Sequence, residues 1–536
     1  MRSRRAGRRS KRNEPHVPRL SQKPAESGAV LAPGAWCSLA SVEESNQVVV
    51  IGSGPGGSTA ALFLAQAGVN VLLLEAGSEH GDRGLTFRLG GMTIAKRRRT
   101  LKQRDDVIRS GDPDAVINED LSPGGLSNHW SCAVPRFSHE DFEDAARAGE
   151  AFAWPLGYDE LAPWYDRVEP FLHIAGTTRG VAPLPAGKVR DPRELHPDWQ
   201  PMVEAAERAG RAVVAMPYAY GGGSTVTLSG TVFNAFVRLA QPLIALGSIR
   251  ARYDARALRL VWSAEEQRVV AIEFLDTRTG EIGTIPCRAV IVAGGAANSA
   301  ELLLASKSAS FPEGLGNTHG VLGKYLHDHP LGKLVIDLAR PVSVHPASYV
   351  ARLSMDRSPP LYAAAGMQWS GASLFAQSML KGRPGRLPWI GYSVFGTMAP
   401  TTDNWVALDP SKSNARGQSA LDLHITHPPE AIRALEQARD QILELLGSAG
   451  LGPSLRIWHV EPPGNSTHYG GTCRMHASPQ FGVIDRWSRV HGVRNVAVAD
   501  SSAFTTGPEK NPVLTSMALS ARAASRLAED LRSGAI

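Results

Sequence analysis

Cysteine is scarce. The 536 residues hold four, Cys37, Cys132, Cys287 and Cys473, far apart and without a CxxC pair. That excludes a disulfide-framed scaffold and a zinc ribbon. The four read as free thiols of a reducing compartment, which points to the cytoplasm. No run of about 18 apolar residues exists, so no membrane-spanning helix is expected. No internal repeat is visible, which excludes a solenoid. A basic folded body is also lacking. The formal charge is +6, but Arg2, Arg4, Arg5, Arg8, Arg9, Lys11 and Arg12 precede the first acid, Glu14, and subtracting those seven leaves −1. A nucleic-acid partner therefore has little support. No continuous apolar stretch follows the basic run; Asn13 to Ser27 is polar and proline-bearing, unlike an export signal. Residues 1–46 read as a disordered basic tail, or in part as an over-extended gene start.

What is present is concentrated between Gln47 and Glu75, QVVVIGSGPGGSTAALFLAQAGVNVLLLE. Val48 to Ile51 suit one buried strand. Gly52, Gly54 and Gly57 follow with GxGxxG spacing. Gly52 allows the turn out of the strand, Gly54 lets backbone approach a pyrophosphate, and Gly57 lets a helix pack close to the sheet. Ser58 to Gly68 reads as that helix, its N-terminus aimed at phosphates. Val71 to Leu74 read as a second strand. Glu75, eighteen residues past Gly57, can accept both ribose hydroxyls of an adenosine and would repel a 2′-phosphate.

The length implies two intertwined domains. Lys96 to Arg99 read as a solvated basic face. Leu121 to Phe137, LSPGGLSNHWSCAVPRF, has no clear period and reads as a ligand-holding loop. Residues 146–219, rich in Pro and Trp, read as an inserted lobe with a helix over 201–211. Val269–Asp276 and Ile282–Cys287 read as a hairpin. Ala289 to Ala293 reads as a strand running into Gly294, Gly295 and a helix over 297–306, a second strand–glycine–helix junction. Residues 331–464 alternate short strands and loops around one helix, Pro429 to Ser448. Val496 to Ala499 read as a strand, Asp500 to Pro512 as a loop, and Val513 to Leu531 as a helix.

Four stretches in this order resemble the glucose–methanol–choline (GMC) oxidoreductases: GSGPGGS with Glu75, VIVAGGAANSAELLLAS, STHYGGTCRM, and NVAVADSSAF with NPVLTSMALSAR. GNTHGVLGKYLHDHP at 316–330 also matches a family segment, which makes a metal at His327 and His329 a poor expectation. The resemblance covers about 47–532. It implies an α/β fold: a Rossmann-like FAD-binding domain (47–145, 220–330 and 465–536) with an interleaved α+β substrate-binding domain (146–219 and 331–464). The cofactor is then FAD, and the activity FAD-dependent oxidation of CH–OH groups.

The family's catalytic histidine falls on His468 and its partner on Asn511. Cofactor contacts carry over to Gly52, Gly54, Pro55, Gly56, Gly57, Glu75, Gly294, Asp500, Pro512 and Leu514, and to Gly125, Asn128, His129, Trp130 and Ser131 of the loop. LSNHWSCAVPRF is most similar to a loop of pyranose oxidases, in which the histidine bonds covalently to flavin. Here that residue is His129. Asn128 departs from their threonine.

Alcohol oxidation needs a hydride acceptor and a proton acceptor. No side chain takes hydride, so a cofactor must; flavin N5 fits. Neutral imidazole at His468 suits the proton. Asn511 can hold the hydroxyl oxygen. The helix from Val513 offers positive potential to the reduced flavin. Asp500 would bind the ribityl or pyrophosphate region, or serve as a plain cap. The expected substrate is a sugar, glycoside or aminocyclitol, with Trp154, Trp164, Trp199, Trp369 and Trp405 as candidate ring-stacking faces. Oxygen, a quinone or a protein would take the electrons. A non-sugar alcohol, a redox-idle lyase, a non-catalytic flavoprotein and an NAD enzyme remain alternatives.

Overall fold

In a computed structural model, the chain is described over residues 47–79, 85–89, 92–96, 101–104, 106–220, 226–229, 233–343, 348–350, 364–369, 386–414 and 418–536. The N-terminal tail, with Cys37, and Arg97–Arg99 of the basic cluster lie outside the described residues. So does the side chain of Trp369.

The elements that build the site run in chain order. β1 is Val48–Ile51, α1 Pro55–Gln66, β2 Val71–Leu74 and β3 Arg250–Arg252. β4 is Ala289–Val292, α2 Ala296–Ala305, β5 Leu331–Ser343 and β6 Arg386–Gly396. α3 is Pro429–Ser448, β7 Val496–Val498 and α4 Val513–Ser533.

Five strands pair in parallel in the order β3-β2-β1-β4-β7. Both faces of such a sheet are covered, which is why β1 and β4 are continuous apolar runs, buried at every residue. The chain leaves β1 to one side for β2, while β4 lies on the other. The carboxyl ends of β1 and β4 thus form the switch-point crevice where open α/β sheets bind ligands. The two glycine junctions meet there. Gly52 has φ +97°, and a Cβ on it would lie 2.4 Å from the Ala293 carbonyl oxygen.

α1 begins three residues earlier than its sequence pattern indicates. Pro55 occupies its first turn, where a missing N–H costs nothing. Gly56 and Gly57 are therefore helical rather than loop. Their hydrogen side chains are needed for docking: a Cβ would lie 1.9 Å from the oxygens of Ala499 and Gly52 respectively. α3 has the expected bounds, and α4 runs two residues further than expected, to a C-cap at Gly534 with φ +71°.

A second sheet has six strands, with β5 and β6 adjacent and antiparallel. They are long, 13 and 11 residues, where the sequence suggested short ones. Strand alternation divides their side chains between two faces. Leu334, Ile336, Ile390, Tyr392 and Val394 pack with Leu435, Ile442 and Leu446 of α3 in a core of their own. Each such apolar side chain contributes roughly 1.5–3 kcal/mol. The opposite face carries Leu331, Lys333, Ser393 and Phe395 toward a cavity.

Residues 255–263, 268–276 and 282–286 form a three-stranded antiparallel sheet containing the expected hairpin. From Val42 onward the chain forms one compact unit. Among the described residues no helix is long and apolar enough to cross a membrane.

Candidate active site

A cavity of about 760 Å³ runs from the β1–β4 crevice to the exposed face of β5 and β6. At one end lie Gly52, Gly54, Pro55, Gly56, Glu75 and Gly294, with Asp500 beside them. Gly54 is the glycine whose side-chain position is open: its Cβ would find protein only at the Gly124 oxygen, 4.0 Å away. Gly125, with φ +52°, lies on the opposite loop, where a Cβ on it would be 3.7 Å from Gly54 Cα. This leaves a backbone-lined slot at the start of α1, whose first amides have no partner within the helix. Such a slot matches a pyrophosphate.

Glu75 is buried. Its carboxylate accepts from the Ser53 amide at 3.0 Å, the Ser53 hydroxyl, and the Gly77 amide at 2.8 Å. Burial raises its pKa above the usual carboxylate value. Asp500 lines the cavity but spends both oxygens on its own chain. One accepts from Gly295 N (2.9 Å) and Ser299 Oγ (2.6 Å), the other from Ser502 N (2.8 Å). It is thus also a cap tying β7 to α2.

The 121–137 loop is a loop apart from a 3₁₀ turn at Gly125–Asn128. His129, Trp130 and Ser131 line the cavity. His129 Nε2 is hydrogen-bonded to Asp120, and its Nδ1 is buried without a partner. Three sequence-derived cofactor residues do not line the cavity. Gly57 is used in packing α1 on the strand. Asn128 donates to the Gly125 carbonyl at 3.0 Å and meets Asn234, so it braces the loop from behind. Leu514 is fully buried in the core; only its backbone, in the first turn of α4, is near Pro512 and Val513, which do line the cavity.

At the other end, His468 and Asn511 converge although 43 residues apart: Asn511 Nδ2 is 3.3 Å from His468 Nε2. With an amide N–H facing it, Nε2 is the unprotonated nitrogen. Nδ1 then holds the proton and donates it to His329 Nδ1 at 2.8 Å. His329 in turn bonds the Pro508 backbone. Burial, then the neighbouring His329 and Lys333, hold His468 well below the ordinary histidine range. Burial lowers His329 to about 4.

The adjacent Asp328 fixes the loop that carries His468. Its Oδ1 accepts from Ser466 Oγ at 2.5 Å and His468 N at 2.7 Å. Sequence reasoning missed Asp328, His329 and Asp120. HDHP was in view, but was weighed only as a metal site, and its proximity to His468 spans 139 residues. No group of three metal-ligating side chains gathers among the described residues.

Of the tryptophans expected to face a sugar ring, the four with described side chains do not line the cavity. Trp199 is in the six-stranded sheet's core, and Trp154 donates to Thr506 Oγ1 at 2.8 Å inside the larger core. Trp164 carries Arg167 on its face, and Trp405 stacks on His424. Their sizes suit core packing, which a composition-based reading could not separate from ligand stacking. Trp130, Tyr469 and Phe395 are the aromatic side chains lining the cavity among the described residues.

A parallel sheet with a glycine-lined crevice, an acid closing β2 and a histidine–asparagine pair define a flavin-dependent oxidoreductase. An FAD-binding-domain family model matches residues 47–352, and a GMC oxidoreductase model matches 400–520. The chain belongs to the GMC oxidoreductases, FAD-dependent enzymes acting on CH–OH groups.

It is 27% identical to a 2-methyl-1,2-propanediol dehydrogenase of Mycolicibacterium austroafricanum, over 90% of this chain and 94% of that protein. It is 29% identical to a paromamine 6'-oxidase of Streptomyces fradiae, over 90% and 91%. A C-glycoside 3-oxidase of Microbacterium trichothecenolyticum is 24% identical over 90% and 96%. Among solved structures, pyridoxine 4-oxidase from Mesorbium loti shares the fold with a TM-score of 0.59 at 17% identity, covering 90% of this chain and 98% of that one.

Proposed function

We propose that this chain oxidises a secondary or primary alcohol on a sugar, glycoside or aminocyclitol, with His468 as general base. The convergence of His468 and Asn511 in a cavity continuous with the glycine slot carries this reading. FAD, when bound, supplies the hydride acceptor at N5.

The rest falls to the protein. His468 Nε2, held unprotonated by the Asn511 amide and by its proton on Nδ1, takes the hydroxyl proton. Asn511 donates to the same oxygen and fixes its position. The first-turn amides of α4, directly after Asn511 and Pro512, would offer positive potential to bound FAD. Gly52, Gly54, Pro55 and Gly56 would hold its pyrophosphate, Glu75 its adenosine ribose, and His129, Trp130 and Ser131 its flavin edge. Relatives named for paromamine and for C-glycosides support the substrate class, as does the loop's likeness to pyranose oxidases. Residues 146–219 and 331–464 form the substrate side.

Anaerobic flavin reduction against sugars, glycosides, polyols and simple alcohols tests this. Bleaching by sugars or glycosides is expected. Turnover of aliphatic alcohols alone, with every carbohydrate inert, would overturn the substrate class.

A further inference from the structure

The cavity-lining face of β5 and β6 carries a cation, Lys333. Leu331 and Lys333 point into the cavity, each opposite its cross-strand partner, Phe395 and Ser393. The His468 ring packs on Phe395 with centroids 5.1 Å apart. Lys333 therefore sits one rung further along the same face, about 7 Å from the residues His468 touches.

Among the described residues its ammonium makes one hydrogen bond. Nζ donates to Ser393 Oγ at 3.0 Å, one of three available donors. Glu461 acts on it electrostatically, but the Glu461 oxygens meet Asn465 Nδ2 at 2.7 Å and His459 Nε2 at 3.1 Å. Arg104 and Arg256, which also line the cavity, are ion-paired to Glu301 at 2.8 and 3.3 Å. Among the described residues Lys333 is in no such pair. Burial, opposed by Glu461, holds its ammonium below the ordinary lysine range. A half-buried cation whose nearby carboxylate, Glu461, is hydrogen-bonded to other side chains and forms no direct ion pair with it among the described residues gains from a ligand that supplies a carboxylate in direct contact.

We propose that Lys333 is a specificity residue whose ammonium pairs with a carboxylate on the substrate, so that the alcohol oxidised belongs to a sugar acid or hydroxy acid. This rests on reading the cavity as an alcohol-oxidation site; within the proposed class it favours acidic sugars over aminocyclitols, and it extends the class to hydroxy acids. The spacing of one rung suits a hydroxyl at His468 and a carboxylate across a six-membered ring. The charge has a second effect. Lys333 is one of the groups that depress the basicity of His468. A bound carboxylate neutralises that field and makes His468 a stronger base with the right substrate in place. A protonated amino sugar meets repulsion instead.

The test uses the flavin-loaded protein and matched pairs: glucuronate with glucose, galacturonate with galactose, 3-hydroxybutyrate with 1,3-butanediol. Anaerobic flavin reduction gives kcat/KM for each. In the parent, the acid of an active pair should lead by tenfold or more, and the lead should shrink with added salt. In Lys333→Met the acid-to-neutral ratio should fall at least tenfold; Lys333→Arg should keep part of it. A neutral partner equal or faster in the parent, or an unchanged ratio in Lys333→Met, overturns the proposal.

Calorimetry with acetate and the same acids separates the two readings. If no pair reduces flavin, yet acetate and the acids bind the parent and not Lys333→Met, the anion site stands and the alcohol-oxidation reading fails. If they bind both proteins alike, or neither, the anion site is wrong.

Discussion

His468 meets two demands at once. It must be neutral to accept a proton, and its Nε2 must face the substrate. Burial and nearby positive groups secure the first, and the Asn511 and His329 contacts secure the second. A lowered pKa means that the base stays deprotonated on acidification. Flavin reduction should therefore show no loss from pH 8 down to about 6.5, the ordinary histidine value, with its acid limb below that. A stopped-flow pH profile with an acid limb at or above 7 would contradict the assignment. His129 gives a second prediction at this scale. The Asp120 contact holds the ring through Nε2 and leaves Nδ1 buried without a partner at the cavity edge; because Asn128 departs from the threonine of the covalent pyranose-oxidase loop, a non-covalent contact is the expected one. Acid precipitation should leave the flavin in the supernatant; a yellow pellet would reveal a bond.

Among the elements, the glycine junction separates binding from folding. Gly54 faces open space, whereas a Cβ on Gly56 would strike the Ala499 carbonyl at 1.9 Å. Gly54→Val should thus yield folded protein that does not retain flavin. Gly56→Ala should lose stability even before flavin is considered, by about 1–3 kcal/mol as typical of overpacking. Absorbance ratios and thermal melts distinguish them. A folded, fully yellow Gly54→Val would refute the slot.

The parallel strands and both glycine junctions were legible in the sequence because a buried strand beside a glycine turn has a local signature. The start of α1 was misplaced because glycine reads as a loop, while the reason for Gly56 lies on a strand end more than 400 residues away. Asp328, His329 and Lys333 were not legible as site residues for a similar reason: their roles exist only once β5 lies beside the 466–469 loop. The tryptophans misled because composition does not distinguish a core ring from a ligand-facing one.

For the whole molecule, acid should be the destabilising direction. Burial holds His327 near 3 and His329 and His427 near 4, and it also lowers His468 well below the ordinary histidine range. Their stabilising effect is complete above 6.5 and is lost as pH falls toward the folded values, because the unfolded chain takes up protons first. Two buried carboxyls oppose this. Asp328 is raised to about 6, and Glu75 is also raised, so each favours the folded state as pH falls. Among the described residues, four strongly buried histidines against two buried acids leave a net loss, to which the also lowered His173 and His491 add; each unbalanced buried group costs about 1.4 kcal/mol per pH unit. Urea midpoints at saturating FAD should fall between pH 6.5 and 4.5; a rise over that range would contradict the burial of these histidines.

His468 carries the proposed proton transfer, and single-turnover flavin reduction tests that role directly. The flavin-loaded parent and His468→Ala are mixed anaerobically with the best alcohol substrate, and bleaching is followed. His468→Ala should retain its flavin and reduce it roughly 10²–10⁴-fold more slowly, the usual contribution of a positioned general base, with Asn511→Ala losing less. Reduction of His468→Ala at close to the parent rate would contradict the claim that this histidine takes the substrate proton.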